Sequence, residues 1–409
     1  MNLYDFILVH PDDMTGHISG LDGELIKYNK NLERFCLFNT VDMANFNPDN
    51  YTDKYCLLFV LFDLFDEFKF SKKIIGWIND GKLKLVIDRK GEFLNSQNIK
   101  EYSLKLKKLK IDLENVIFLS MNIGNTVSGE VGFDWCRWEV CLHFNKILDI
   151  YRFRNGSFDD FYFNNLRDFD EIWKRKPYKF ICFNGTLNTH RVYISNEIIN
   201  RNLDKGSIFS VVNKNNNTLK EVTELFKEFV PDFDKKIIDN FYYKLPVIFD
   251  RNGKEIIKDA GHSQINPMLV DTEYLNFLKN SYFSFITESC MTDSNYFKIT
   301  EKTWKVIGFQ PFIVAGDKGI LKYLQDRGFK TFPELFDESY DEISDNLERA
   351  NFILDEVERV CNMEIEKLHR IYVSLLPKIK HNHKLMKNID MEKFMEEFFY
   401  TIHGKFYDK

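Results

Sequence analysis

Short apolar runs alternate with segments of helical spacing along most of this chain, and that alternation limits the possible folds more than any other feature. In the first part of the chain, the pattern predicts strands at 4–10, 83–89 and 115–122 and a helix at 98–112. The run YCLLFVLFDLF at 55–65 is too uniformly apolar for its period to decide between strand and helix. Strands separated by helices are typical of βαβ units, which build parallel sheets.

A second alternating series follows a charged, aromatic stretch at 160–177. Its predicted elements are four strands and one helix, the strands at 178–185, 206–212, 281–289 and 309–316 and the helix at 190–203. The last part of the chain has mainly helical spacing. We therefore expect an α/β protein with two doubly wound domains, at 1–170 and 176–345, and a helical C-terminal tail at 346–409.

The composition fits two globular domains and narrows the possible functions. A chain of 409 residues exceeds one ordinary core, and 44% hydrophobic with 29% charged residues argues against disorder. The formal net charge of −6 shows no general basic excess, so nucleic-acid binding is not indicated, although a local basic groove stays open. Neither a P-loop nor a G-x-G-x-x-G motif occurs, so ATPase and dinucleotide-binding functions lack their signatures.

The cysteines and the N-terminal segment bear on where the protein works. The seven cysteines are scattered and odd in number, which favours reduced thiols over a disulfide framework. No basic segment followed by a long apolar one opens the sequence, so we predict no signal peptide. The most apolar run contains three acidic residues and is too short to cross a bilayer. We expect a cytoplasmic protein without a membrane span, in the host cytoplasm if it is viral.

Polar residues follow two predicted strands of the second series. In open α/β sheets, ligands bind at the carboxyl ends of strands, where loops lead into helices. The strand at 178–185 runs into NGTLNTHR, which contains Asn184 and leads to Arg191 at a helix start. The strand at 281–289 ends in Glu288 and Ser289. These residues are therefore candidates for a ligand site.

The stretch ITEKTWKVIGFQPFIVAGDKG, at 299–319, places Thr300 where a helix N-cap is expected, with Glu301 and Lys302 in the first turn. A cation there is mildly disfavoured by the helix dipole, so a nearby anion such as a phosphate would explain Lys302. Glu301 suits the dipole, and its carboxylate can also accept hydrogen bonds from ribose hydroxyls. A solvated helix start is the alternative interpretation of both charges.

The order FITES…NYFKITEKTWKVIGFQPFIVAG resembles the C-terminal signature of the α-1,3-fucosyltransferase family. In that family an F-x-x-E-N-S-like strand end precedes Y-I-T-E-K, a helix and a P-V-V-like strand. The element FICFNGTLNTHR is also similar to a wider set of phage and bacterial glycosyltransferase-like proteins. The resemblance covers about 178–335 and implies a GT-B-like fold, in which two Rossmann-like domains face each other across a cleft and the C-terminal one holds a nucleotide-sugar donor.

The resemblance also implies roles for individual residues. Glu301 would bind the ribose hydroxyls, Lys302 the pyrophosphate, and Arg191 would make a second phosphate contact. One departure is that Lys298 stands at the family's tyrosine position, with Tyr296 two residues upstream, so stacking at that position and fucose as the sugar are in doubt. The full set of donor-binding candidates is Asn184, Arg191, Glu288, Ser289, Tyr296, Thr300, Glu301 and Lys302.

The implied activity is transfer of a sugar from a nucleoside-diphosphate sugar to an acceptor hydroxyl, without a metal or other cofactor. The acceptor can be a glycan, a protein or a modified DNA base, and although an inverting enzyme is favoured, the residues leave the stereochemistry open. A general base is needed for the acceptor hydroxyl, and the candidates on N-terminal loops are Asp12 or Asp13, His17, and Glu130 or Asp134. Of these we select Asp13, His17 and Glu130. Positive charge from Arg191, Lys302 and a helix dipole would stabilise the leaving diphosphate.

Two alternatives predict different behaviour. The D-x-D triplets at 168–170 and 232–234 keep open a metal-dependent transferase of GT-A type, but both lie in charged or helical stretches, where such triplets arise by chance. His381 and His383 have no nearby carboxylate or cysteine, so an exposed basic helix end is expected there. An inert nucleotide-sugar or glycan binding module is the second alternative.

Overall fold

A computed structural model describes the parts of the chain at 6–10, 38–52, 54–61, 65–66, 68–88, 96–120, 123–124, 134–137, 174–247, 277–292, 296–297, 299–304 and 306–387. The chain forms two compact units, the first containing Met1–Leu142 and Asp390–Lys409 and the second His143–Ile389. The boundary expected between 170 and 176 stays a prediction, because residues 138–173 lie outside the described part.

The first unit is built on a parallel sheet. Its strands are β1 (Phe6–His10), β2 (Phe38–Asp42), β3 (Tyr55–Leu61), β4 (Lys84–Asp88), β5 (Val116–Ser120) and β7 (Asp134–Arg137), with a short β6 at Ile123–Gly124. The strand order is β2-β1-β3-β4-β5-β7, and each neighbouring pair is parallel. The run at 55–65, which its period left undecided, forms β3 between β1 and β4. Strands inside a parallel sheet are covered on both faces, which explains its continuous apolar character.

Helices and short 3₁₀ turns connect these strands. They are α1 (Lys72–Asn79), α2 (Ser96–Lys108) and 3₁₀ turns at Met43–Asn45, Pro48–Tyr51 and Leu113–Asn115. Ser71 is the N-cap of α1, since its hydroxyl accepts a hydrogen bond from Ile74 N at 3.2 Å. In the basic stretch at 105–110, Lys105 forms ion pairs with Asp66 at 2.7 Å and Glu101 at 3.0 Å. This part of α2 therefore has the solvated charged face expected of it.

The second unit contains a second parallel sheet. Its strands are β8 (Tyr178–Asn184), β9 (Ile208–Val211), β10 (Ser281–Thr287) and β12 (Phe312–Ala315), with a short β11 at Tyr296–Phe297. The order is β12-β10-β8-β9, and all pairs are parallel. From β8 the chain builds outward to β9 on one side, and it then returns to place β10 and β12 on the other. The order thus reverses between β8 and β10, which is the position where open α/β sheets bind ligands.

Helices surround this sheet. They are α3 (Thr189–Asn200), α4 (Leu219–Phe229), α5 (Lys235–Tyr242), α6 (Glu301–Trp304), α7 (Ile320–Asp326), α8 (Asn346–Cys361), α9 (Ile365–Ser374) and α10 (Leu376–Lys387), with a 3₁₀ turn at Glu338–Glu342. Helix α8 packs against α3 and β12. Tyr193 on α3 donates a hydrogen bond to Asn351 on α8 at 2.6 Å, and Arg201 pairs with Asp355 at 2.6 Å. The described residues of the C-terminal region, 346–387, are helical and belong to this unit.

The α/β class predicted from the sequence is confirmed, with a Rossmann-like parallel sheet in each unit. Each predicted strand of both series contains the strand that forms there. Among the residues the structure describes, no helix has both the length and the apolarity needed to cross a membrane.

Candidate functional site

The carboxyl ends of β8 and β10 are joined by a buried side chain. Asn184 is fully buried at the end of β8, and its amide donates a hydrogen bond to Ser195 Oγ on α3 at 3.1 Å. Its carbonyl oxygen accepts a hydrogen bond from Thr287 Oγ1 at the end of β10. Asn184 therefore fixes the two strand ends and α3 relative to one another. Contact of Asn184 with a donor stays a prediction.

Asn188 connects the start of α3 to the residue after β10. Its Oδ1 accepts a hydrogen bond from Arg191 N at 3.2 Å, which makes it the N-cap of α3, and its Nδ2 donates to Ser289 O at 3.0 Å. Asn188 is not among the site residues predicted from the sequence. The sequence signal for this N-cap was an Asn directly before a segment of helical spacing.

Arg191, a predicted phosphate ligand, is 5% exposed in the first turn of α3. Its guanidinium donates hydrogen bonds to Thr287 O and Glu288 O, both at 2.9 Å, and to Thr186 O at 3.4 Å. Thr287 ends β10 and Glu288 follows it, whereas Thr186 follows β8, so Arg191 joins the carboxyl ends of both strands. Its buried positive charge also acts on the space around that strand end.

His190 is a buried neutral partner of the same strand end. Its Nε2 lies 2.9 Å from Glu288 O, and because a carbonyl oxygen only accepts, Nε2 carries the hydrogen. The pKa of His190 is lowered to about 3, mainly by burial. The positive charges of Arg191, Lys302 and Arg349 also lower it, so these three cations create a positive potential at the strand ends. His190 is neutral at neutral pH and serves as a hydrogen-bond donor.

Glu288 is a fully buried carboxylate with four hydrogen-bond donors around it. Its Oε1 accepts from Thr300 N at 3.0 Å and Thr303 Oγ1 at 2.5 Å. Its Oε2 accepts from Ser289 N at 3.2 Å and Thr300 Oγ1 at 2.5 Å. We call Glu288, Thr300 and Thr303 the Glu288 latch, because the carboxylate joins the end of β10 to the start of α6. Buried carboxylates need such a full set of donors.

The latch explains the Glu-Ser…Thr-Glu-Lys-Thr spacing in the sequence. Thr303 was not selected from the sequence, although residues three apart lie on one face of a helical turn, as Thr300 and Thr303 do here. Thr300 Oγ1 also accepts a hydrogen bond from Lys302 N at 3.4 Å, as an N-cap side chain does. The predicted cap and the predicted strand-end acid are thus parts of one hydrogen-bonded unit.

Lys302 brings an ammonium group to the end of β10. The side chain is half-buried, and Nζ donates to Ser289 Oγ and to Thr300 Oγ1, both at 3.3 Å. Ser289 follows Glu288 directly, so the charge of Lys302 lies over the residues that leave the strand. This is the position where the resemblance requires a cation for a diphosphate.

Several predicted site residues cannot be placed by their side chains. The backbone of Glu301 lies in α6 and that of Tyr296 in β11, but both side chains lie outside the described part of the structure. The predicted general bases Asp13, His17 and Glu130 also lie outside the described residues. Their roles stay predictions.

The turn after β12 packs closely against Glu288. A Cβ on Gly316 would lie 3.1 Å from Glu288 Cβ and 2.7 Å from Ile320 Cδ1, so only glycine fits without displacement. Gly316 O accepts a hydrogen bond from Arg349 Nε at 3.1 Å. Buried Asp317 accepts from Thr292 N at 2.5 Å and Thr292 Oγ1 at 3.0 Å, which ties this turn to the loop after β10.

The residues considered for metal binding have other contacts. Among the described residues, no group of three or more His, Cys, Asp and Glu side chains is placed to hold a metal ion. His381 lies 2.8 Å from Gly328 O, and His383 lies 3.3 Å from Gly308 O. Asp234 caps α5 through a 3.0 Å hydrogen bond from Lys236 N. The triplet at 168–170 lies outside the described residues.

Comparison with known proteins adds two distant structural similarities. No protein-family model and no curated protein matches this chain. An α,α-trehalose-phosphate synthase (UDP-forming) from Burkholderia vietnamiensis is 9% identical, with a TM-score of 0.38 over 98% of each chain. The N-terminal domain of Candida albicans trehalose-6-phosphate phosphatase is also 9% identical, with a TM-score of 0.38 over 98% of this chain and 97% of that one. Similarities at this level carry no argument about activity, so any function must be argued from the site.

Proposed function

We propose that this protein is a glycosyltransferase that moves a sugar from a nucleoside-diphosphate sugar to an acceptor hydroxyl. The donor diphosphate would bind at the carboxyl ends of β8 and β10. The observation that carries this proposal is the placement of the Lys302 ammonium over the end of β10, 3.3 Å from Ser289 Oγ, where the strand order reverses. That position is the usual ligand site of an open α/β sheet, and the charge is the one a leaving diphosphate needs.

The surrounding residues have distinct roles in this proposal. Lys302 would contact the diphosphate, while buried Arg191 and Arg349 would add to the positive potential from behind the strand ends. Glu301 would bind ribose, as the resemblance to α-1,3-fucosyltransferases implies. Because the structure gives Glu288 four hydrogen-bond donors from the protein, we assign it to holding the site together.

The remaining parts of the proposal come from the resemblance. They are a GT-B arrangement, an inverting transfer without a metal, and a general base from the N-terminal domain, with Asp13, His17 and Glu130 as candidates. A glycan, a protein or a modified DNA base would be the acceptor. A cytoplasmic location fits a nucleotide-sugar donor. We do not propose fucose as the sugar, because Lys298 replaces the family's tyrosine.

A thermal-shift screen against GDP-, UDP-, CMP- and dTDP-sugars tests the donor site. We expect at least one nucleoside-diphosphate sugar to raise the melting temperature of the wild type, because a ligand that binds the folded state stabilises it. Lys302→Ala and Glu301→Ala should reduce that shift. Lys322→Ala is the matched control, since its side chain is 76% exposed and pairs with Asp326 on α7. The donor assignment is contradicted if no nucleoside-diphosphate sugar raises the melting temperature of the wild type, including the case in which only a CMP-sugar, which carries a single phosphate, does so. Equal responses of Lys302→Ala and Lys322→Ala would also contradict it.

Two further measurements separate the alternatives once a donor is known. With EDTA present, release of the nucleoside diphosphate should continue at nearly the same rate, whereas a metal-dependent transferase of GT-A type would lose activity. A binding module would show the thermal shift without any donor hydrolysis or transfer. Donor turnover that survives EDTA is therefore the outcome that the proposal requires.

A further inference from the structure

The Glu288 latch and Lys302 share the same hydroxyl group. Thr300 Oγ1 donates its single hydrogen to Glu288 Oε2 at 2.5 Å and accepts from Lys302 Nζ at 3.3 Å. A hydroxyl has one hydrogen to donate and two lone pairs to accept with. Because the carboxylate takes that hydrogen, the lone pairs of Thr300 face other donors, among them the ammonium of Lys302. Glu288 thus fixes the direction in which Thr300 can hold Lys302.

The second contact of Lys302 depends on the same carboxylate. Lys302 Nζ donates to Ser289 Oγ at 3.3 Å, and the backbone N–H of Ser289 donates to Glu288 Oε2 at 3.2 Å. Thr303 Oγ1 and Thr300 N occupy the other carboxylate oxygen. Ser289 and Thr300, whose hydroxyls accept from the ammonium, are thus each hydrogen-bonded to Glu288. Thr303 adds a further donor to the carboxylate and helps to keep it in one orientation.

We propose that Glu288 and Thr303 are positioning residues that set the place of the Lys302 ammonium for a diphosphate. This inference rests on the proposed function, and it assigns to Thr303 and Glu288 an action on the ligand through Lys302. A purely structural latch would hold β10 and α6 together without affecting how tightly a diphosphate binds. A positioning latch changes diphosphate affinity, and it does so only while Lys302 is present.

A double-mutant cycle distinguishes these two roles. The proteins compared are the wild type, Thr303→Val, Lys302→Ala and the double variant. Titration calorimetry measures their dissociation constants for UDP, GDP, CDP and dTDP and for the matching nucleosides. Valine keeps the shape of threonine but removes the hydroxyl. Without the Thr303 hydroxyl, Glu288 loses one of the donors that orient its carboxylate. We expect the displaced Lys302 ammonium to weaken binding of the preferred diphosphate about tenfold in Thr303→Val. The same substitution should change binding less than about twofold in the Lys302→Ala background.

Two controls test whether the effect comes from the hydroxyl and reaches the ligand through the phosphate groups. Thr303→Ser keeps the hydroxyl and should bind the diphosphate within about twofold of wild type. Affinity for the matching nucleoside, which has no phosphate, should be the same in wild type and Thr303→Val. If Thr303→Val does not fold, Glu288→Gln replaces it in the cycle, because its amide group can donate to Thr300 Oγ1 and so reverse that hydrogen bond.

The outcomes separate the latch from the function on which it rests. Equal losses of diphosphate affinity in both backgrounds, or no loss in Thr303→Val, overturn the positioning role while leaving the donor site intact. Failure of the wild type to bind any of the four diphosphates overturns the donor site and the latch together. The latch predicts that Thr303→Val loses diphosphate affinity when Lys302 is present but not in the Lys302→Ala background. It also predicts that Thr303→Ser keeps the affinity of the wild type.

Discussion

At the scale of single residues, the strand-end site is defined by how its buried charged groups are compensated. Glu288 is fully buried with four donors, Arg191 gives its guanidinium hydrogens to carbonyl groups, and His190 is neutral. Lys302 is half-buried, and its ammonium donates hydrogen bonds to the hydroxyls of Ser289 and Thr300 beyond the end of β10. Buried groups compensated in this way are suited to fixing geometry, and a partly exposed cation is suited to contacting a ligand.

The pKa of His190 predicts a specific dependence of stability on pH. In the folded protein the pKa is about 3, whereas histidine in an unfolded chain has a pKa near 6.5. Between these values the unfolded state binds a proton that the folded state does not. As the pH falls through this window, His190 should lower the free energy of unfolding by about 1.4 kcal/mol per pH unit.

Urea denaturation at pH 6.5 and at pH 4.5 measures this effect. His190→Gln keeps a hydrogen-bond donor for Glu288 O but has no group that binds a proton in this pH range. Between pH 6.5 and pH 4.5 its free energy of unfolding should therefore fall by about 2 to 3 kcal/mol less than that of the wild type. His381→Gln, on the exposed side of α10, is the matched control and should follow wild type. Equal pH dependence in His190→Gln and wild type would show that folding does not lower the pKa of His190.

At the scale of elements, most strands could be predicted because burial inside a parallel sheet leaves continuous apolar runs. For β3 the run was so uniformly apolar that its period left strand and helix undecided, and β2 and β7 were not predicted. The helical starts could be predicted in part, since Thr300 and Arg191 lie at the beginnings of α6 and α3. The latch could not be predicted, because its hydrogen bonds join residues from two elements that only the folded chain brings together. A carboxylate after a strand looks the same in sequence whether it binds a ligand or a pair of threonines, as Glu288 does.

The turn after β12 gives a prediction at this scale. Gly316→Ala would place a Cβ 2.7 Å from Ile320 Cδ1 and 3.1 Å from Glu288 Cβ, so the Ile320 side chain must move and Glu288 must shift by a few tenths of an ångström. We expect a destabilisation of about 1 to 3 kcal/mol, measured by urea denaturation, together with weaker diphosphate binding. Gly185→Ala, at the end of β8, is the matched control for stability only, because no protein atom lies within 4 Å of the added Cβ. Unchanged stability of Gly316→Ala would mean that this close approach does not exist in solution.

At the scale of the whole molecule, the proposed donor site lies in the second of the two α/β units. The division into α/β halves followed from the two alternating series in the sequence. The acceptor could not be predicted, because the resemblance covers only about 178–335 and the candidates for the general base lie in the other unit. The overall charge of −6 does not describe the site, where three cations add to the effect of burial in lowering the pKa of His190.

Hydrogen–deuterium exchange with and without the preferred nucleoside diphosphate tests the central claim, that a diphosphate binds at the ends of β8 and β10. We predict increased protection of peptides covering 184–191, 287–292 and 299–304. Helix α2 in the first unit should exchange at the same rate in both samples. Protection confined to other segments, or a bound nucleotide that leaves these three segments unchanged, would contradict the account.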